Sequence, residues 1–156
     1  MTTFDGLPTH PLLVHVIVVL TPLTAVLAIA CALWPAARRR FIWLLLPFAL
    51  IVLVLTPITT NAGEWLEDQF GEVPAIETHA DLGETMIYFA LALTLVAAAV
   101  TAVHYFEQRA KPLKPAVVWA IAAVTIVVAI ATCVQVYRIG DSGARAVWGT
   151  TALAEP

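Results

Sequence analysis

The sequence predicts an all-α integral membrane protein built as a four-helix bundle, and three observations carry this prediction. Hydrophobic residues make up 61% of the 156 residues, and charged residues only 12%. Soluble domains carry about 25% charged residues, so this chain has too little polar surface to coat a globule in water. Four apolar runs each approach the roughly 20 residues that cross the hydrocarbon of a bilayer. None of these runs has the polar stripe of a soluble amphipathic helix.

Each apolar run is expected to be a membrane-spanning helix, because a backbone inside lipid must satisfy its own hydrogen bonds. The predicted helices cover about 11–34, 41–59, 79–106 and 115–137. An outer loop of about 61–78 follows the second helix, and an outer tail runs from 138 to 156. Gly140 is expected to end the fourth helix. The whole chain, 1–156, is predicted to form a single membrane domain.

The basic residues predict the orientation. Six of the eight Lys and Arg residues lie in the two turns that follow the first and third helices: Arg38, Arg39, Arg40, Arg109, Lys111 and Lys114. The loop from Asn61 to Glu84 has none and is acidic. The positive-inside rule places the basic turns in the cytoplasm. We therefore expect a multi-pass protein of the inner (cytoplasmic) membrane of the cell, with both termini outside.

Several other classes of site are not indicated. Cys31 and Cys133 are expected near opposite leaflets and hence unpaired, because a disulfide needs Cα atoms within about 7 Å. No basic stripe extends beyond the three consecutive arginines, so nucleic acid is not an expected partner. There is no Ser-His-Asp order, glycine-rich phosphate loop or paired-cysteine motif.

The four histidines are the residues most suited to chemistry. His10 and His15 lie at the start of the first helix and His79 at the start of the third, so all three are expected near the outer face. His104 lies 25 residues after His79, roughly 37 Å along a continuous helix, and cannot share their site. His15 is surrounded by apolar residues, so we expect it to face the bundle and find a partner there.

A b-type haem is the leading interpretation of these histidines. It needs two axial imidazoles from separate helices that face each other across a bundle. His15 and His79 are the expected pair. Gly83, one turn below His79, would leave room for the edge of the ring. Arg138 and Arg145 could pair with the propionates.

Two alternatives stay open. A zinc, iron or copper ion could be bound by His10, His15 and His79 with a carboxylate such as Glu64, Glu67 or Asp68, because imidazole and carboxylate suit these metals. A structural or assembly subunit without a cofactor would use its histidines only for hydrogen bonds.

Four segments resemble a bacterial family of four-helix membrane proteins, the domain of unknown function 2231. They are Leu7–His15, Gly63–Leu66, His79 and Gly140–Ala144. The resemblance implies the four-helix fold. Similar members of that family occur joined to Rieske iron–sulfur or cytochrome c domains, which implies a redox setting and favours haem. The expected function is a small b-type cytochrome-like subunit that passes electrons near the outer face to a separate redox protein, such as a Rieske or cytochrome c protein.

Overall fold

Long helices dominate the computed structural model, which describes residues 3–4, 7–70 and 73–149. In chain order they are α1 (Thr9–Leu33), α2 (Pro35–Phe70), α3 (Pro74–Glu84), α4 (Met86–Gln108) and α5 (Pro115–Trp148). Before α1, the two-residue strands β1 (Thr3–Phe4) and β2 (Leu7–Pro8) pair antiparallel. Within the described residues, four helical segments are long and apolar enough to cross a membrane: α1, α2, α3 with α4, and α5. The predicted all-α fold with four spans is confirmed.

The helix ends differ from the predicted ones. α2 begins at Pro35 instead of 41 and continues to Phe70, so only Trp34 separates α1 from α2. α5 passes through Gly140 and ends at Trp148. An apolar run in the sequence identifies only the part of a helix that lies in lipid. A helix can continue into water because its backbone hydrogen bonds remain satisfied there, so most of the predicted outer loop and the first part of the predicted tail are helical.

The predicted third helix is two helices. Thr85 separates α3 from α4, and α3 begins at Pro74, well before His79. The buried side chain of Gln135 in α5 donates its amide to the carbonyl of Leu82 at 3.2 Å and to the hydroxyl of Thr85 at 2.7 Å. Backbone groups freed at a helix end need such partners, so α5 stabilises this break.

The two ends of the bundle differ in chemistry. The arginine end comprises the α1–α2 turn and the α4–α5 connection. There, the buried Arg38 donates to the carbonyls of Cys31 at 2.8 Å and Ala32 at 3.2 Å, in the last turn of α1. It also makes two bonds to the Glu107 carboxylate, at 2.8 and 3.2 Å. One guanidinium thus caps α1 and ties it to α4.

Small side chains fill the middle of the bundle. Ala28, Ala49, Ala97 and Ala129, one from each long helix, are all 0% exposed. Small residues at such crossings let helix backbones approach closely. Cys31 is buried, Cys133 is half-buried, and both are free thiols. The opposite end, which we call the histidine end, contains the start of α1, all of α3, and the last turns of α2 and α5.

Candidate functional site

Two histidines from different helices meet at the histidine end. The imidazole of His10 in α1 lies beside that of His79 in α3, with ring centroids 6.2 Å apart and ring planes 86° apart. Both side chains are half-buried. A pair of imidazoles is thus presented from two separate segments of the chain at one position in the bundle.

Each imidazole is held through the same ring nitrogen. The Nδ1 of His10 lies 2.9 Å from the carbonyl oxygen of Thr59, and the Nδ1 of His79 lies 3.1 Å from that of Ile139. Because a carbonyl oxygen only accepts hydrogen bonds, Nδ1 carries the hydrogen in both rings and donates it. The Nε2 of each neutral ring keeps its lone pair. Metal-binding histidines are characteristically oriented by a carbonyl in this way.

Glycines allow the rings to lie against the helices that hold them. A Cβ atom at Gly63 would lie 2.9 Å from both Cε1 and Nδ1 of His10. A Cβ atom at Gly143 would lie 2.9 Å from Cε1 of His79 and 3.2 Å from its Nδ1. Such contacts are closer than a Cβ atom tolerates, so a side chain at either position would displace the imidazole. Within a helix, glycine is about 0.8–1.0 kcal/mol less favourable than alanine.

A largely apolar cavity lies beside the two imidazoles. Its volume is about 60 Å³, and it is partly open to the surroundings. Side chains of α1, α2, α4 and α5 line it together with the two histidines, among them Val14, Ile17, Thr56, Met86 and Val136. Gly83 also lines it, and a Cβ atom there would meet nothing within 4 Å. This volume is well below the roughly 300–1,000 Å³ of typical ligand pockets, so a ligand as large as a macrocycle would require the surrounding helices to move apart.

His15 does not join this pair. Its side chain is exposed, and its Nδ1 bonds to the carbonyl of Pro11 in its own helix. The prediction that His15 faces the bundle is therefore wrong. At 3.6 residues per turn, a five-residue step turns the side chain by about 140°, so His10 and His15 point to different faces of α1. The local carbonyl satisfies the imidazole without a second helix.

The predicted metal set is not brought together. Within residues 7–70 and 73–149, no three His, Cys, Asp or Glu side chains form a group that could hold a metal ion. Glu64 and Asp68 are exposed on α2, and Glu67 is half-buried. Because α2 continues as a helix, its carboxylates are displayed around its surface instead of being folded back over the site.

The remaining predicted residues have other surroundings. Arg145 forms an ion pair with Asp141 at 2.9 Å, and its side chain is 76% exposed. Arg138 is exposed and lies 3.4 Å from the amide oxygen of Gln135. His104 lies in the last turns of α4, towards the arginine end and far from the pair. Its Nδ1 is a buried atom without a hydrogen-bond partner.

The residues that hold the imidazoles were not predicted as site residues. Gly63, Ser142 and Gly143 occur in the segments that carry the family resemblance, but the sequence alone assigns none of them to the site. Ser142 places its hydroxyl 3.0 Å from Nδ1 of His79 and donates to the carbonyl of Ile139 at 2.9 Å. A glycine inside a helix was the available signal, because such a position needs a reason in packing.

The fold and this pair define an integral membrane protein of helical-bundle type with an imidazole-lined pocket at one end. The chain belongs to the DUF2231 family of predicted membrane proteins, whose family model matches residues 6–155. The resemblance predicted from the short motifs is thereby confirmed. No curated protein and no solved structure matches the chain.

Proposed function

We propose that this protein is a small redox subunit of the membrane, similar to a b-type cytochrome, that binds one haem b between His10 and His79. The pair replaces the predicted combination of His15 and His79, because His15 lies on the exposed face of α1. The observation that carries the proposal is the 6.2 Å separation of the two ring centroids, with both Nδ1 atoms bonded to carbonyls.

The separation matches that of two imidazoles bound to one metal ion from opposite sides. A metal–imidazole bond is about 2.0–2.1 Å and the ring centroid lies roughly 1.1 Å further on, which gives about 6.3 Å between centroids. The carbonyl bonds fix the tautomer and the orientation of each ring. The adjoining cavity is apolar, as the flat faces of a macrocycle require, but the helices around it would have to move apart to admit the ring.

A bound haem would supply one-electron transfer. His10 and His79 would hold the iron, and Gly63 and Gly143 would let the rings reach it. About 20 residues cross the hydrocarbon, and Thr60 lies 20 residues beyond Arg40 along α2, next to the acceptor Thr59. The pair would thus lie close to the membrane boundary. A separate redox protein, such as a Rieske or cytochrome c protein, could exchange electrons there.

An absorption spectrum of the purified protein tests the haem. Protein produced with a haem supply should show a Soret band and, on reduction, the sharp visible bands of six-coordinate low-spin haem. His10→Ala and His79→Ala should each remove or alter these bands, because each removes one of the two imidazoles that would hold the iron. His15→Ala and His104→Ala are the matched controls and should keep the spectrum. A folded, haem-replete preparation without a Soret band would refute the haem assignment.

A copper ion is the second candidate occupant, and Met86 is the observation that favours it. This buried methionine lines the same cavity as the two imidazoles. Thioether and imidazole ligands together suit copper. Stoichiometric copper in elemental analysis, without a Soret band, would select this candidate. Neither copper nor haem would leave a structural or assembly role for the subunit.

We also propose that the arginine end faces the cytoplasm and that the protein lies in the inner (cytoplasmic) membrane. Both connections rich in Lys and Arg lie at this one end of the bundle, as the positive-inside rule requires of a cytoplasmic face. Alkaline phosphatase fused after Phe70 should be active, and the same enzyme fused after Lys111 should be inactive. A green fluorescent protein at these positions should give the reverse pattern. Equal activity at both positions would exclude this topology.

A further inference from the structure

We propose that the chain contains two copies of a histidine-bearing helical hairpin, and that His10 and His79 are their equivalent ligands to one central metal. The first copy is α1 with α2, and the second is α3 and α4 with α5. The inference deepens the proposed function and depends on it only for the identification of the bound metal as iron. The equivalence of the two imidazoles is a separate claim, and it applies to any metal held between them.

The second helices of the two copies correspond at a shift of 80 residues. Pro35 and Gly63 are separated by 28 residues, and so are Pro115 and Gly143. Each proline begins its helix, and each glycine lies against an imidazole. The same shift relates positions that are all buried: Ile42, Leu45, Ala49, Val52 and Thr56 correspond to Ala122, Thr125, Ala129, Thr132 and Val136.

The first helices correspond at a shift of 69 residues, which is the separation of His10 and His79 in the sequence. That shift again relates buried positions: Ile17, Thr21, Thr24, Ala25, Ala28 and Cys31 correspond to Met86, Ala90, Leu93, Thr94, Ala97 and Val100. The two shifts differ because α4 extends further than α1 and a six-residue connection, 109–114, replaces the single residue Trp34. The prolines, glycines and histidines that set the two shifts were not chosen for burial, yet the positions that the shifts relate are buried in both copies.

The packing is arranged in the same way around both copies. α1 packs against α5 of the other hairpin, as α4 packs against α2. Four of the alanines with no exposed surface form two corresponding pairs, Ala28 with Ala97 and Ala49 with Ala129. α1 and α4 run in the same direction, so the copies are parallel repeats related by an axis along the bundle. His10 and His79 meet at this axis.

Equivalence of the ligands determines what the site can do. Each imidazole donates Nδ1–H to the carbonyl four residues before the glycine it touches, Thr59 before Gly63 and Ile139 before Gly143. The two imidazoles are therefore held in the same way, each with its Nε2 left free of these bonds. They suit a metal ion or metalloporphyrin with two equivalent positions on opposite sides. A metal held by both imidazoles would supply one-electron transfer.

The two imidazoles differ in their contact with the second helix of the copy that holds each of them. Ser142 places its hydroxyl beside His79, whereas the corresponding residue near His10 is Ala62. The hydroxyl also donates to the carbonyl of Ile139, so it shares that acceptor with the imidazole. Ser142→Ala makes the two copies more alike and should leave metal binding within about twofold of the parent protein.

Paired glycine variants test the equivalence. Gly63→Ala and Gly143→Ala each place a Cβ atom 2.9 Å from an imidazole, and we expect both to reduce the retained cofactor about tenfold or more, by factors within threefold of each other. Gly140→Ala is the matched control in α5, because a Cβ atom there meets nothing within 4 Å. Near-normal cofactor retention in one glycine variant, with severe loss in the other, would overturn the proposal.

Nuclear magnetic resonance of the cofactor-free wild-type protein tests the equivalence of the two histidines without haem. It also needs no variant, so it does not depend on whether a variant folds. With ¹⁵N-labelled histidine, both His10 and His79 should be Nδ1–H tautomers. One equivalent of Zn²⁺ should shift the Nε2 resonances of both together and leave those of His15 unchanged. A shift of only one imidazole, or of neither, would overturn the equivalence. A joint shift in a protein that never takes up haem would support it while refuting the haem assignment.

Discussion

Arg38→Ala should lower the free energy of unfolding by about 3 kcal/mol. Removing one partner of a buried ion pair costs about 3–5 kcal/mol. The Glu107 carboxylate is 35% exposed and can regain water, which places the effect at the lower end. The loss also leaves the carbonyls of Cys31 and Ala32 without this donor at the end of α1. Steric trapping or denaturation in mixed micelles measures the difference.

The neighbouring arginine provides the control for that experiment. Arg39 is exposed, so Arg39→Ala removes the same charge and should change the unfolding free energy by no more than about 0.5 kcal/mol. Arg38→Lys keeps the charge but cannot reproduce the planar fork that binds two carboxylate oxygens, and we expect an intermediate loss. Equal stability of Arg38→Ala and Arg39→Ala would mean that this contact does not hold α1 to α4.

Ala97→Leu should destabilise the bundle by about 1–3 kcal/mol or more, the usual cost of forcing added volume into a packed core. Ala97 is 0% exposed and lies in the central cluster with Ala28 and Ala49. The larger side chain would push α4 away from its neighbours. The same denaturation assay measures the loss of stability, and it should be accompanied by weaker cofactor retention if the helix spacing sets the site.

The next residue offers a matched comparison. Ala98 is exposed on α4, so Ala98→Leu adds the same atoms towards the surroundings and should be close to neutral. Under the equivalence of the two hairpins, Ala28→Leu should be as damaging as Ala97→Leu. Comparable stability of the Ala97 and Ala98 variants would show that the helix packing around Ala97 can accommodate a leucine, contrary to the structure.

The alanine-rich run of α4 illustrates how far sequence reasoning reaches. Ala90, Ala97, Ala98 and Ala102 all indicate a small face suited to helix contact, yet only Ala90 and Ala97 are buried. Composition identifies a tightly packed helix. The rotation of that helix decides which alanines touch a neighbour, and in a run that is apolar on every side no polar stripe marks the outward face.

Helix rotation also decides which histidines contact a neighbouring helix. Their positions along the predicted helices place His10, His15 and His79 at one end of the bundle and His104 at the other, which the structure confirms. The choice between His10 and His15 depends on the phase of α1, and His15 was preferred because it lies deeper in the apolar run. The carbonyl of Pro11 satisfies His15 locally, whereas Gly63 allows His10 to reach α2.

The sequence by itself determined the class of this protein. The length of an apolar run and its scarcity of charge are properties of each segment alone, so four membrane-spanning helices were predictable. The placement of the basic connections at one end followed from those helices, and the short motifs were enough to indicate the family. The tertiary structure decided where helices continue beyond the lipid, that α3 and α4 are separate, and that His10 is the partner of His79. These features depend on contacts between segments far apart in the chain, such as Thr59 with His10 and Gln135 with Thr85. Local hydrophobicity carries no record of such contacts, because they arise only when the relative rotation of packed helices brings particular side chains together.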